Sequence, residues 1–221
     1  MQVGQAKPYR GIGMEGFIAT WYARNTAGDI EDFRRTAAQI AHWLPDNAAV
    51  LEIAPGPGYL AIELARCGPY RITGLDISKS FVSIAVENAR RAGLDIDFRL
   101  GDAQALPFAA GSFDFIVCRA AFKNFSDPVK ALAEMRRALK TDGTALIIDM
   151  RRDVSDATID EFVKSRPGGR INAMIVGWTF KHMLRKRAYR PVVMREMARA
   201  AGFTRCEIEE VPIGMEVSLW P

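Results

Sequence analysis

Two spacings of apolar residues alternate along this chain, and their alternation predicts a sheet flanked by helices. Short apolar runs typical of buried strands occur at 48–54, 71–77, 95–100, 112–120 and 143–150. Between them, apolar residues recur three and four positions apart, as in amphipathic helices. Ser78 and Asp127 are the expected N-caps of two of these helices, with Pro128 at the first helical position of the second. Strands that alternate with helices form βαβ units, and such units build a parallel sheet covered on both faces. The sequence therefore predicts an α/β fold.

The alternating pattern does not cover the whole chain. After the fifth strand no strand-like run appears, and helices are predicted at 156–165 and 170–188, separated by an Arg-Pro-Gly-Gly turn. We expect a single domain of residues 1–221 with four segments. These are an N-terminal arm and helix (1–45), the alternating core (46–150), a helical insertion or lid (151–190), and a final helix with an antiparallel hairpin (191–221).

Composition adds expectations about size and environment. The chain has 221 residues, of which 49% are hydrophobic, enough for one full core. A net charge of +4 tolerates an anionic substrate without requiring nucleic acid. The cysteines Cys67, Cys118 and Cys206 form no C-x-x-C pair, which favours a reducing compartment and argues against a metal site. With neither a signal-peptide core nor an apolar run near about 18 residues, we expect a soluble cytoplasmic protein.

The first strand leads into an unusual turn within residues 50–65, VLEIAPGPGYLAIELA. From Gly56 onward the letters fit the dinucleotide-binding pattern G-x-G-x-x-A. Backbone N–H groups hold a pyrophosphate on such a turn, but Pro55 and Pro57 have none to offer. Glu52 adds negative charge at the same mouth. Because these features oppose an anion and suit a cationic amino group and a sulfonium, the turn favours S-adenosylmethionine over NAD.

Acidic residues also follow the next two predicted strands. Asp76 ends the second strand, 18 residues after Gly58, where a carboxylate can accept hydrogen bonds from both hydroxyls of a ribose. Asp102 and Ala103 follow the third strand. Aspartates also cap helices and stabilise turns, so this structural role is the alternative for both. Since ligands bind beyond the carboxyl ends of parallel strands, we expect an adenosine-bearing ligand at this edge.

Four stretches together resemble the motifs of the class I S-adenosylmethionine-dependent methyltransferases. They are VLEIAPGPG, GLDIS, GDAQALPF and FDFIVCRAAFKNFSDPVKALAEMRRALKTDG, within residues 48–150. The branch they are most similar to includes quinone C-methyltransferases and other small-molecule enzymes. The resemblance implies a Rossmann-like, seven-stranded, mostly parallel sheet with a C-terminal antiparallel hairpin, which agrees with the hairpin indicated by the pattern. The helical insertion would then follow strand five.

The motifs also suggest which residues contact the cofactor. By this resemblance, Arg119 contacts the cofactor through its backbone, and Tyr22 in the arm reaches the carboxylate end. Ile77 follows Asp76 and packs either on the adenine or in the ordinary core. Ala54 departs from the family pattern, because the first glycine of the motif usually stands there. The complete predicted set is Tyr22, Glu52, Ala54, Gly56, Gly58, Asp76, Ile77, Asp102, Ala103 and Arg119.

No catalytic group can be identified from the sequence. Lys123 and Asn124 stand where many relatives have histidines, so no histidine base is present there. The candidates on the acceptor side are Arg119, Lys123, Asp149 and His182. Methyl transfer from a sulfonium is an in-line displacement that depends largely on alignment, and a general base is optional for an acceptor that is already anionic. We therefore favour acceptors that enter deprotonated.

The expected function is S-adenosylmethionine-dependent methylation of a small molecule, with S-adenosylhomocysteine as product. The alternatives are a cofactor-binding protein without turnover and an NAD-dependent oxidoreductase. A tRNA or rRNA methyltransferase is disfavoured, because the basic run 181–187 is not interleaved with aromatic residues. The Met- and Trp-rich helix within 151–190 suits either an adaptable acceptor pocket or a homodimer face. The acceptor and the atom that is methylated stay open.

Overall fold

The computed structural model describes residues 9–10, 13–165, 174 and 176–221. Its strands are β1 (Ala49–Ile53), β2 (Arg71–Asp76), β3 (Asp97–Leu100), β4 (Phe113–Arg119), β5 (Leu139–Met150), β6 (Arg205–Glu210) and β7 (Gly214–Trp220). Its helices are α1 (Gly16–Thr26), α2 (Ile30–Ala41), α3 (Tyr59–Ala65), α4 (Lys79–Arg91), α5 (Pro128–Ala138), α6 (Asp156–Lys164), a helical segment α7 over 176–187 and α8 (Pro191–Ala200). Short 3₁₀ turns lie at Ala27–Asp29 and Phe122–Asn124.

All seven strands form one sheet in the order β3-β2-β1-β4-β5-β7-β6. The strands β1 to β5 pair in parallel, while β7 runs antiparallel to both β5 and β6. At the centre, Val50 of β1 lies opposite Ile72 on one side and Phe115 on the other. The predicted fold class, with its C-terminal antiparallel hairpin, is confirmed.

Helices cover both faces of the sheet, and alternate residues of the strands point to opposite faces. On one face, Val50 and Phe115 belong to the same buried cluster as Ile40 of α2. On the other, Ile116 lies in a buried cluster with Leu132 of α5. A third, smaller cluster gathers residues of β5, α6 and the chain that follows; it consists of Met150, Val154, Ile159, Val163 and Ala188. The insertion therefore has a small core of its own beside the carboxyl end of β5.

Local signals explain where two of the core helices begin. The Ser78 hydroxyl accepts a hydrogen bond from the Phe81 N–H at 3.1 Å, which caps α4 as predicted. The Asp127 carboxylate likewise caps α5 by accepting from the Lys130 N–H at 3.0 Å, with Pro128 in the first turn. Side chains near in sequence satisfy these donors, so the sequence pattern was sufficient to find the boundaries.

Strand β5 differs from the prediction. It begins at Leu139 rather than Gly143, and the preceding helix ends at Ala138. Leu139 pairs with Phe113, but Thr144 pairs with Phe115, so a bulge accommodates the extra residues. The stretch 139–142 therefore joins the strand instead of forming a separate turn.

The insertion is helical where it is described. Helix α6 closely matches its predicted bounds, and α7 contains a π-helical stretch, Phe180–Leu184. Of the helix predicted at 170–188, residues 170–173 and 175 lie outside the described residues. No helix in the described ranges is both long enough and apolar enough to cross a membrane.

Candidate functional site

The loop after β1 uses all of its own backbone donors. The Ala54 N–H bonds to the Leu75 carbonyl at 2.8 Å, and the Gly58 N–H bonds to the Pro55 carbonyl at 3.0 Å. The remaining donor, on Gly56, bonds to Oδ2 of Asp76 at 3.0 Å. Because the two prolines have no N–H, every backbone donor from 54 to 58 already bonds within the protein. The loop therefore offers a pyrophosphate no backbone N–H in this conformation.

The two glycines of this loop have different surroundings. A Cβ added to Gly56 would meet nothing within 4 Å, so this residue borders open space. A Cβ on Gly58 would lie 2.9 Å from the Phe98 ring and 3.0 Å from the Ala85 methyl. Gly56 thus leaves room for close approach of a ligand, while Gly58 allows the loop to pack against β3 and α4. Cofactor contact by Gly58 stays a prediction.

Glu52 is a buried carboxylate with an unused oxygen. Its residue is only 4% exposed, and burial raises its pKa from 4.5 to about 8. A hydrogen bond from the Ala61 backbone and the charge of Arg119 lower that pKa, while the charge of Asp76 raises it further. Within the described part of the chain, Oε2 of Glu52 has no hydrogen-bond partner. A cationic N–H donor at this position would satisfy the oxygen and stabilise the ionised form.

Asp76 connects the loop to the end of β2. One carboxylate oxygen accepts from Gly56, and the other accepts from the Ser78 N–H at 2.9 Å. Burial raises the pKa of Asp76, and these backbone hydrogen bonds oppose that rise. The carboxylate is therefore held in one orientation, and each oxygen keeps further accepting capacity for ribose hydroxyls. Beside it, Ile77 is 40% exposed and presents an apolar surface at the strand edge.

Asp102 lies in the turn after β3. Its Oδ1 accepts from the backbone N–H of Gln104 at 2.9 Å and from the Gln104 amide at 3.3 Å. Gln104 in turn accepts from the Ser126 hydroxyl at 3.1 Å, which links this turn to the chain that follows β4. Ala103 is buried beside them. The geometry fits the turn-stabilising role of Asp102, and adenine contact by Asp102 and Ala103 stays a prediction.

Arg119 ends β4, and its side chain turns toward helix α2. Its guanidinium pairs with the Asp32 carboxylate and lies 4.4 Å from the centre of the Phe33 ring. Burial raises the pKa of both Glu52 and Tyr22, and the positive charge of Arg119 partly opposes that rise. The structure therefore engages the side chain with α2, while backbone contact with the cofactor stays a prediction.

Two arm tyrosines lie near the site carboxylates, and one of them was not predicted from the sequence. Tyr22 is half-buried and packs edge-on against Phe81, with ring centres 5.7 Å apart; burial raises its pKa. Tyr9 is also half-buried, and its pKa rises to about 12, mainly through burial and then through the charges of Tyr22 and Asp76. The charge of Asp149 acts on both phenols too. Tyr9 therefore shares its surroundings with Tyr22, and an aromatic residue in the arm was the only available sequence signal.

Hydrogen bonds hold the arm across the carboxyl edge of the sheet. The Arg10 N–H donates to the Asn124 carbonyl at 2.7 Å. Farther along, the Glu15 carboxylate accepts from the N–H groups of Lys79 and Ser80 at 3.0 and 3.1 Å, at the start of α4. The arm thus bonds to the chain beyond β4 and to the chain beyond β2.

On the acceptor side, the structure brings together two of the four candidates. The Lys123 ammonium lies 2.8 Å from Oδ1 of Asp149, and their side chains are 5% and 4% exposed. His182 is exposed on α7, with its ring 5.5 Å from that of Trp178. Among the described residues no contact joins His182 to the buried pair, and its catalytic role stays a prediction.

Comparison with known proteins relates part of this chain to methyltransferases. A family model described as a methyltransferase domain matches residues 51–147. The uncharacterized methyltransferase YcgJ of Bacillus subtilis is 39% identical over 117 residues, which are 52% of this chain and 45% of that protein. A demethylmenaquinone methyltransferase of Deinococcus radiodurans is 37% identical over 120 residues, 53% of this chain and 48% of that protein. The chain thus spans about half the length of the curated relatives it matches.

Solved structures extend the likeness beyond the core. The YcgJ structure from Bacillus subtilis has a TM-score of 0.62 and 26% identity, covering 81% of this chain and 71% of that one. A candidate S-adenosylmethionine-dependent methyltransferase from Methanococcus maripaludis has a TM-score of 0.73 at 23% identity, covering 92% and 91%; this likeness is one of fold. Residues 51–147 of this chain therefore match a methyltransferase domain.

Proposed function

We propose that this chain transfers a methyl group from S-adenosylmethionine to a small-molecule acceptor and releases S-adenosylhomocysteine. The observation that carries the proposal is the unpartnered, buried oxygen of Glu52 beside a loop whose backbone donors are all used. This combination suits a cationic ligand group and disfavours the pyrophosphate of NAD.

The residues around the loop fit such a cofactor. Glu52 would accept from its amino group and Asp76 from its ribose hydroxyls, while Gly56 allows the ligand to approach the backbone closely. Ile77 and the Asp102 turn would bind the adenine. When bound, the cofactor supplies a methyl group already activated by the sulfonium. The task of the protein is then to orient two reactants and exclude water from them.

The acceptor side supports an acceptor that needs no base from the protein. Lys123 and Asp149 bond to each other, so neither group is free to take a proton from an acceptor. Among the relatives, those named demethylmenaquinone methyltransferases support a small acceptor with quinol-like chemistry. We therefore propose in-line displacement by a nucleophile that enters deprotonated or is readily deprotonated.

Nucleic acid is a poorer fit to the basic run 181–187. Lys181 pairs with Asp160 at 2.7 Å, and Arg185 pairs with Asp156. These ion pairs use two of its cations within the protein, which supports a structural role for the run. Location in the cytoplasm and a homodimer through 151–190 stay predictions.

Calorimetry with S-adenosylmethionine, S-adenosylhomocysteine and NAD tests the cofactor. We expect both adenosyl ligands to bind, and Glu52→Gln to weaken S-adenosylmethionine at least about tenfold, since a charge-assisted hydrogen bond is lost. The matched control is Glu63→Gln, because Glu63 is as deeply buried but already pairs with Arg34 and Arg66. Binding of NAD alone, or equal loss in both variants, would overturn the proposal.

Turnover is tested separately with labelled cofactor, a panel of hydroxylated aromatic, thiol and amine acceptors, and cell extract. Mass spectrometry should identify a product heavier by one methyl group. Cofactor binding without any methylated product would favour a cofactor-binding protein that lacks turnover.

A further inference from the structure

The N-terminal arm and the insertion both contact one short stretch of chain after β4. We call residues 122–126 the anchor turn. From the arm, Tyr9 forms an antiparallel bridge with Phe125, and the Arg10 guanidinium donates to the Ser126 carbonyl at 2.7 Å. This stretch therefore receives the arm through bonds of both backbone and side chain.

The insertion reaches the same anchor turn from the other side. Arg187 donates to the Asn124 side-chain oxygen at 3.4 Å. The Tyr189 ring packs edge-on against Phe122, with ring centres 6.0 Å apart. Any movement of the anchor turn would therefore displace contacts of both the arm and the insertion.

One residue of the anchor turn, Lys123, forms a buried ion pair with Asp149 of β5. Asp149 uses both oxygens, since Oδ1 accepts from the Lys123 ammonium at 2.8 Å and Oδ2 from the Lys123 N–H at 2.9 Å. The ammonium also donates to the Ala120 carbonyl. Ala120 has a φ of 59°, a left-handed conformation that disfavours alanine, and its own N–H bonds to Ile148 of β5 at 2.7 Å. The pair thus joins a strained residue and the turn to the end of β5.

Stability alone is a weak explanation for such a pair. Taking both charges out of water costs about as much as their attraction returns, and apolar residues of similar size often serve a core equally well. What the pair adds is fixed geometry, because two hydrogen bonds join Lys123 to Asp149 of β5 and a third joins it to the Ala120 carbonyl. Backbone strain held in place beside a ligand edge also points to a functional constraint.

We infer that Lys123 and Asp149 are positioning residues, whose buried ion pair sets the anchor turn and through it holds the arm and the insertion over the cofactor site. The cofactor readout of this inference rests on the proposed function, whereas the arm readout does not. Without the pair, the arm should detach more often and bound cofactor product should leave faster.

The test compares the double variant K123M/D149N with wild type. Removing both charges leaves no isolated buried ion, so we expect the urea midpoint of the double variant to stay close to that of wild type. We still expect the Arg10 amide to exchange hydrogen at least about tenfold faster, and S-adenosylhomocysteine to dissociate several-fold faster, because local opening of the arm becomes more frequent. Mass spectrometry and stopped-flow displacement measure the two rates.

The matched control is K140M/D114N, which removes a second Lys–Asp pair at the opposite end of β4 and β5. In this control we expect the Arg10 exchange rate and the S-adenosylhomocysteine dissociation rate to stay within about twofold of wild type, because its pair contacts neither the arm nor the insertion. Wild-type rates in K123M/D149N, or equal changes in both doubles, would overturn the inference. Should K123M/D149N not fold, K123Q/D149N against K140Q/D114N carries the same comparison, because it also leaves no isolated buried charge and keeps polar side chains at both positions. If S-adenosylhomocysteine does not bind wild type, the proposed function fails and the Arg10 exchange rate still decides.

Discussion

A lysine–aspartate pair lies near each end of the paired strands β4 and β5, and the two pairs have different surroundings. At the amino end, the Lys140 ammonium lies 2.7 Å from Asp114, with side chains 39% and 21% exposed. At the carboxyl end, Lys123 and Asp149 are 2.8 Å apart and almost wholly buried. The chemistry and the distances are alike, so the difference lies in what surrounds each pair.

At the amino end the charged group is well compensated. Burial alone would raise the pKa of Asp114, but hydrogen bonds from Lys140 and from the Ala49 N–H lower it overall. The carboxyl edge instead contains features that lower the stability of the folded state. They are left-handed alanines at positions 54 and 120, the unpartnered oxygen of Glu52 and a buried ion pair. Strain and perturbed ionisation that concentrate at one edge mark it as the functional end of the sheet.

Single substitutions of the two lysines should differ most. Lys123→Met leaves the Asp149 charge buried and unpaired, so we expect a loss of about 3–5 kcal/mol in the free energy of unfolding. Lys140→Met removes a partly exposed pair and should cost at most about 1 kcal/mol. Urea denaturation measures both values. Similar losses in the two variants would contradict the contrast between the two ends.

The next effect concerns pH and the free energy of unfolding without cofactor. The pKa of Glu52 is about 8 in the folded protein, against an ordinary 4.5, so the folded state binds more protons than the unfolded state between these values. The stabilising effect of protonation is therefore complete below about pH 4.5 and lost as pH rises through about 8. At about 1.4 kcal/mol per pKa unit, ionisation of Glu52 lowers the free energy of unfolding by about 3–5 kcal/mol at pH 9.

Urea denaturation at pH 5 and pH 9 measures that effect. Glu52→Gln cannot ionise, so this variant should lack the corresponding part of the pH dependence and exceed wild type in stability at pH 9. A cationic ligand favours the ionised carboxylate, so stabilisation of wild type by S-adenosylmethionine should grow from pH 6 to pH 8. Identical pH dependence in wild type and variant would show that Glu52 does not carry the shift.

How far the sequence predicts this molecule depends on whether each signal is local. Ser78 and Asp127 cap helices through residues three positions away, and both were predicted correctly. The early start of β5 was not, because residues 139–142 continue a helix-like and turn-like pattern. Only the distant pairing of Leu139 with Phe113 makes them part of a strand.

The candidate site shows the same difference between local signals, which the sequence reveals, and distant contacts, which it does not. The placement of Glu52 and Asp76 at one edge of the sheet could be predicted, because the end of each strand is visible in the sequence and parallel strands end at one edge. The partners of Arg119 and Lys123 could not, since Asp32 lies 87 residues from Arg119 and Asp149 lies 26 residues from Lys123. No periodicity links such positions, and only the packed fold brings them together.

Within the carboxyl edge, the third effect separates ligand binding from stability. Asp76→Ala removes the carboxylate that holds the Gly56 N–H and faces the expected ribose, so S-adenosylmethionine affinity should fall at least about tenfold, or about 1.4 kcal/mol. Asp127→Ala is the control: it removes the cap of α5 and should cost about 1 kcal/mol of stability. Calorimetry should find cofactor affinity unchanged in this control. Unchanged affinity in Asp76→Ala would reject the ribose assignment.

The smallest expected effect tests whether the strain at Ala54 is real. This residue has a φ of 56°, a conformation that glycine adopts freely, and it stands where the methyltransferase motif that the sequence resembles usually has glycine. Ala54→Gly should therefore raise the free energy of unfolding by up to about 1 kcal/mol, since relief of left-handed strain outweighs the greater chain entropy of glycine. Ala133→Gly on the exposed face of α5 should instead lower it by about 1 kcal/mol. Equal destabilisation by both substitutions would mean that Ala54 stores no strain, and the contrast between the two ends would then rest on Glu52 and the buried pair.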